Sequence, residues 1–146
     1  MCEQYNPLEI FLFHFQNPVV FSYYSDCRCN SPIISFPKSL VNVGNAFDGS
    51  TFKCPQAGYY SFEFAGTYDS EYAWIEVLKN DAKELSFYDD TAEKGNVNND
   101  ESLMSFSFML KLYKGDSVKL KISGGKFYTD RQSRHRVFSG QFVRPL

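Results

Sequence analysis

His14 and His135 are the only histidines in the chain, so a base that activates a nucleophile would most simply be one of them. Neither lies in a pattern that supplies both a nucleophile and a third group to orient the ring. His135 also sits between Arg134 and Arg136, whose charges lower its affinity for a proton. The adjacent acids Asp89 and Asp90 could do acid–base work. They open a polar stretch from Asp89 to Asp100, rich in Asn and Asp, and loops of this kind more often serve turns or ions. Gly124-Gly125-Lys126 lacks the spacing and the following hydroxyl of a phosphate-binding loop. Cys27-Arg28-Cys29 has no second ligand pair at metal spacing and is no zinc knuckle. These residues argue against an enzyme.

The cysteines are Cys2, Cys27, Cys29 and Cys54. Four allow three full connectivities, and the sequence does not choose among them. A bridge from Cys27 to Cys29 would be cramped, and Cys2 reaches one of them if the N-terminus folds back. Cys54, before Pro55, reads as a small buried hydrophobe. The expectation carried forward is four free thiols.

Charge is unevenly spread. Residues 1–110 hold 6 basic and 15 acidic side chains, whereas residues 111–146 hold 9 basic and 2 acidic. The whole chain carries only −2, with no overall pull toward nucleic acid or an anionic membrane. Lys119, Lys121, Lys126, Arg131, Arg134 and Arg136 could form a basic patch for an anionic ligand. Alternatively, early and late strands lie side by side and the asymmetry cancels in space. No apolar run approaches the ~20 residues of a membrane-spanning helix. Ile10-Phe11-Leu12-Phe13 is short and preceded by Glu3 and Glu9, so no signal peptide is read. No Asn-x-Ser/Thr sequon is found.

The elements that must position these residues are strands. Aromatics make up 18% of the chain, with 15 Phe and 10 Tyr, a composition suited to pleated, half-buried surfaces. Met104, Phe106, Phe108, Leu110 and Leu112 are apolar at every second position, and Lys114-Gly115-Asp116 ends that strand. Val118, Leu120 and Ile122 alternate likewise up to Gly124-Gly125. Tyr60, Phe62 and Phe64 form a third strand, and Trp74–Leu78 and Leu85–Tyr88 two more. Val19–Tyr24 opens the series and Val137–Val143 closes it. No amphipathic helix is found. Eight to ten short strands with turn signals every eight to twelve residues predict a β-sandwich or barrel. The length fits one domain, here residues 17–146 behind an N-terminal extension, residues 1–16.

The ordered segments resemble the globular-head domain of complement C1q, a family akin to the tumour necrosis factor ligands. The resemblance is carried by Pro18-Val19-Val20-Phe21-Ser22, by the run Leu40 to Asp48, and by the run Thr51 to Phe62 with its Cys54-Pro55-Gln56-Ala57-Gly58. It continues through Leu78-Lys79-Asn80, Tyr88-Asp89 and Lys114-Gly115-Asp116-Ser117-Val118, then Phe138-Ser139-Gly140 and the closing Pro145. It implies an all-β, ten-stranded jelly roll and a homotrimer of non-enzymatic heads. Tyr60, Phe62, Phe106 and Phe108 are the candidate trimer-interface rings, with filling of the protomer core as the alternative for each.

Further expectations follow from the resemblance. Some members bind calcium near the trimer apex through acids after the Tyr-Asp pair. The matching set here is Asp89, Asn98 and Asp100, although Asn supplies less charge than Asp; an ordinary solvated loop is the alternative. No collagen-like stalk is read in the chain, which suggests a head-only protein or a shortened one. The function implied is recognition of protein, carbohydrate or microbial surfaces, as in innate-immune, lectin-like proteins, with avidity supplied by the trimer. A receptor-binding signalling ligand and a trimerising assembly domain are the other readings. Lys126, Tyr128, Arg131, Arg134 and Arg136, between the last two strands, are the candidate ligand contacts, since Arg pairs bidentately with carboxylate, sulfate or phosphate. The resemblance implies secretion, with an intracellular site left open; no nucleic-acid partner is expected.

Overall fold

The computed structural model describes residues 18–27, 31–90, 101–129 and 134–146. Nine strands follow one another: β1 (Val20–Ser25), β2 (Lys38–Val43), β3 (Thr51–Lys53), β4 (Gly58–Tyr68), β5 (Ala73–Lys79), β6 (Ala82–Asp89), β7 (Ser102–Leu112), β8 (Ser117–Gly124) and β9 (Arg136–Pro145). No helix occurs among the described residues. The strands form two antiparallel sheets, β2-β1-β9-β4-β7 and β3-β8-β5-β6. The resemblance implies ten strands, and nine are found among the described residues; an isolated bridge from Ile33 to Lys121 extends the β3 edge of β8. The result is a jelly-roll sandwich: of the sandwich or barrel that the strand pattern predicts, it is the sandwich, with the jelly-roll form that the resemblance implies.

Period-two alternation decides which side chains enter the sandwich. Along β4, Tyr60, Phe62, Phe64 and Tyr68 are buried, while Ser61, Glu63 and Ala65 face away. Rings from both sheets interlock. Phe62 stacks on Phe138 at 5.9 Å and 7°, meets Phe52 edge-on at 5.3 Å, and stacks on Phe108 at 5.2 Å. Each such contact adds about 0.5–1.5 kcal/mol beyond the area it buries. Gly140 lies where Phe21 and Phe62 approach the backbone, and a Cβ there would stand 2.5 Å from the Phe21 ring. The packing of this layer requires a residue without a side chain.

The strand ends sort the loops into two groups. β1–β2, β4–β5, β6–β7 and β8–β9 connect at one end, the apex, while the β5–β6 and β7–β8 turns and the C-terminus lie at the other, the base. At the base the β5–β6 hairpin turns on Asn80 and Asp81, both with positive φ (51° and 65°), which Asn and Asp tolerate better than most residues. Asn80 Nδ2 donates to Asp116 Oδ1 at 3.0 Å, and Asn80 Oδ1 accepts from the Ser117 N–H at 3.0 Å. Asp116 Oδ2 accepts from the Tyr113 N–H at 2.8 Å. The bond from Asn80, then the Tyr113 amide, pull the Asp116 pKa below its usual value. Thus the Leu78-Lys79-Asn80 and Lys114-Gly115-Asp116 segments, far apart in sequence, close one clamp.

Candidate functional site

The apex is built by cross-bracing between loops. The β4–β5 loop meets the β8–β9 loop: Ser70 Oγ donates to the Tyr72 carbonyl at 2.7 Å and accepts from the Lys126 N–H at 2.9 Å. The Asp69 N–H donates to the Lys126 carbonyl at 3.1 Å, and the Tyr128 N–H to the Thr67 carbonyl at 2.9 Å. Gly125 makes this approach possible. Its φ is +86°, and a Cβ there would fall 2.3 Å from the Tyr72 carbonyl oxygen. Thr129, buried, donates to the Cys27 carbonyl and ties the same loop to the segment after β1. A cleft of about 470 Å³ lies between these braces, with Asp69, Lys126, Tyr128 and Arg136 among its lining residues.

The predicted ligand contacts divide. Lys126 is exposed and Tyr128 half-buried on the cleft. Arg134 is held by the chain itself: its Nη2 lies 2.7 Å from Glu101 Oε1, and its guanidinium lies over the Tyr128 ring at 4.6 Å. Arg136 is corrected outright as an exposed contact. It is 2% exposed, its Nη2 donates to the Ser35 carbonyl at 3.1 Å, and its guanidinium lies 5.8 Å from the Phe36 ring. Burial pushes its pKa below the ordinary arginine value. The alternation backward from Gly140 and Phe138 to Arg136, all on the inner face, was the sequence signal for this. Arg131 lies outside the described residues.

The metal set is only partly placed. Asp89 ends β6, and its Oδ2 accepts from the Tyr68 hydroxyl at 2.9 Å. Asn98 and Asp100 lie outside the described residues. Among the described residues no three His, Cys, Asp or Glu side chains converge as metal ligands.

Two of the four predicted interface rings are also corrected. Tyr60 and Phe62 are 0% and 1% exposed within the chain itself and offer no surface to a partner. Phe106 and Phe108 are half-buried against the core, with Phe106 stacked on Phe87 at 4.0 Å where the β6 and β7 edges meet. The surface that sequence reasoning missed is the outer face of the five-stranded sheet. Register places Val43, Val20, Gln141, Ser61 and Met109 in one row across it, and Val41, Ser22, Ser139, Glu63 and Ser107 in the next. Val20, Leu103 and Met109 are 39%, 66% and 57% exposed. The repeated small hydroxyl residues between the rings of β4 and β7 were the available signal.

Cysteine chemistry differs from the expectation of four free thiols. Cys27 is disulfide-bonded, with its partner outside the described residues. Cys54 is a free, buried thiol that donates to the Gln56 carbonyl at 3.0 Å. Burial pushes its pKa up, and burial likewise raises that of the neighbouring Tyr60, whose hydroxyl donates to the same carbonyl at 2.6 Å.

Residues 19–143 match the C1q domain family. The chain belongs to this family. Complement C1q tumor necrosis factor-related protein 3 of Mus musculus is 33% identical over 116 residues, a span covering 76% of this chain and 44% of that protein. The chain therefore spans less than half the length of this curated relative. The solved globular domain of zebrafish complement 1qA superposes with a TM-score of 0.67 over 88% of this chain and 99% of that one, at 20% identity. At that identity the likeness speaks for the C1q fold alone.

Proposed function

We propose that this C1q domain is a non-enzymatic recognition module working as a homotrimer, with the outer face of the five-stranded sheet turned toward its neighbours and the apex loops presented to ligand. The observation that carries this reading is the uncovered, nearly uncharged outer face just described. An exposed sheet face with several valines, Leu103 and Met109, and with serines, Gln141 and a single acid, Glu63, in its two central rows favours burial by a partner surface. Burying several hundred Å² of apolar surface per chain contributes on the order of 10 kcal/mol before association costs. The titratable groups with shifted pKa serve turns and core rather than a reaction: Asp48 accepts from the Ser50 and Thr51 amides at 3.0 and 2.8 Å, and Asp116 closes the base clamp.

The ligand is a protein, glycan or microbial-surface group met by Lys126 and Tyr128 on the apex cleft, with Arg131 in the adjoining loop. Calcium coordinated by Asp89 with Asn98 and Asp100 would stiffen the same apex. A disulfide at Cys27 supports an oxidising, extracellular compartment. The same bare face equally suits a domain whose task is to trimerise a larger protein. Light scattering in solution tests the assembly, and a glycan and microbial-surface array tests recognition. A mass of three chains with array binding lost on Lys126→Ala supports the recognition module. Three chains without any surface ligand favour the assembly domain, and a single-chain mass removes both.

A further inference from the structure

Two large rings stand exposed at the apical end of the four-stranded sheet. Tyr72, just before β5, is 40% exposed, and Tyr88, near the end of β6, is 60% exposed. They stack on each other with centroids 5.6 Å apart and planes 21° from parallel. Register sets Trp74 between Tyr88 on β6 and Gly124 on β8, so these positions share the outer face. Gly124 leaves the space that the Tyr72 ring occupies: a Cβ there would lie 2.5 Å from it. The Tyr72 backbone is fixed as well, since its carbonyl accepts from Ser70 Oγ at 2.7 Å. Trp74 Nε1 donates to Ser86 Oγ, which orients the half-buried indole on the same face. One row toward the base, about 7 Å along the strand at ~3.3 Å per residue, Glu76 lies between Ser86 and Lys121.

We propose that Tyr72 and Tyr88, with Trp74, form a carbohydrate-binding platform that takes a neutral pyranose ring. This surface is separate from the Lys126–Tyr128 cleft and from the five-stranded face, so the inference goes beyond the reading above and holds for one chain or three. A pyranose presents an apolar face of C–H bonds and a rim of hydroxyls. Stacked aromatic rings of little tilt offer a flat, electron-rich surface to the C–H face. Glu76, Ser86 and Lys121 then supply acceptors and donors to the rim. The rings are already ordered by the glycine seat and by each other, so little rotamer freedom is lost on contact. Other ligand classes fit less well. Glu71 and Glu76 oppose a nucleotide or any other polyanion. A quaternary ammonium is held best by rings that surround it, whereas these two lie nearly parallel.

Trp74 is the single tryptophan of the chain, so its emission reports on this surface without a label. The test is titration of the whole chain with chitotriose, maltotriose, mannotriose and lactose, and with tetramethylammonium and adenosine as ligands of the competing classes. The expected result is a saturable change in Trp74 emission with at least one of the sugars, at a Kd in the millimolar range. Tyr88→Ala weakens binding by roughly tenfold or more. Tyr88→Phe, which keeps the ring, retains it, and Tyr113→Ala, which removes an exposed ring at the base, leaves it unchanged. Thermal melting checks that each variant is folded. No saturable change with any of the sugars overturns the inference, as does tighter saturation by tetramethylammonium or adenosine. Sugar binding that survives Tyr88→Ala but is lost on Lys126→Ala puts the glycan in the apex cleft; that overturns this inference and supports the recognition reading.

Discussion

The two outer faces of the sandwich solve the same problem in opposite ways. On the four-stranded sheet Glu76 pairs in register with Lys121, and Lys119 Nζ lies 2.9 Å from Asp81 Oδ1. These residues meet water with charge and with long side chains that cover the apolar floor. On the five-stranded sheet the corresponding positions are mostly serines, Ser22, Ser61, Ser105, Ser107 and Ser139, with Gln141 and one acid, Glu63, among them and valines, Leu103 and Met109 left exposed. Short side chains there leave a flat surface with little conformational entropy to lose on contact. One fold therefore carries a face that meets water with paired charges and a face of exposed apolar side chains and serines, and the strands differ only in what fills every second position.

The largest effect separates interior from face. Phe62 packs against Phe21, Phe52, Phe108 and Phe138 and is fully buried. Phe62→Ala leaves a cavity between the sheets and costs about 3–5 kcal/mol of chain stability, read as a lower denaturation midpoint. An interface role for this ring would instead lower the solution mass and leave the monomer's unfolding midpoint unchanged. That outcome would restore Phe62 as an interface residue.

Next in size is the contrast between the faces themselves. Ser139→Arg places a long, charged side chain in the middle of the five-stranded face, between Ser22 and Glu63, where its bulk keeps a second flat surface from closing on it. The expected outcome is a mass that falls from three chains to one at micromolar concentration, with the monomer's melting temperature little changed. Ser86→Arg, across from Glu76 on the four-stranded face, leaves the mass unaltered. Equal responses to the two variants would remove the distinction between the faces.

Much of this was legible in the sequence, for identifiable reasons. Alternation in Met104–Leu112 and Val118–Ile122 places β7 and β8, because one side of each is buried and the other is not. β2 carries no such pattern, since all six of its residues are exposed, and only the resemblance covered it. Alternation finds two faces but does not say what lies against them. Tyr60 and Phe62 read as surplus aromatics available to a neighbour, yet the opposing sheet consumes them. Arg136 read as part of a basic surface because charge, rather than its in-register place with Phe138 and Gly140, guided the assignment. The apex braces, such as Ser70 to Lys126, join residues 56 apart and leave no local trace.

The smallest expected effect concerns the base, where both sheets' loops are fastened. Asn80 and Asp116 hold the β5–β6 hairpin to the start of β8 through three side-chain bonds. Asp116→Asn keeps the shape of the side chain but turns one acceptor oxygen into a donor, facing either the Asn80 amide or the Tyr113 N–H. Loss of one such bond, charge-assisted but partly exposed, costs about 1–2 kcal/mol at pH 7. The sign of the pH dependence follows from the depressed pKa. Asp116 contributes stability above its unfolded value, 3.8, and loses it as pH falls through the lower folded value. The gap in denaturation midpoint between the native chain and Asp116→Asn should therefore be full at pH 6–7 and shrink below about pH 4. It should do so identically at concentrations where the chain is monomeric and where it is assembled, because this clamp lies off the docking face. A gap that depends on chain concentration would extend that face to the base and blur the division between the two sheets.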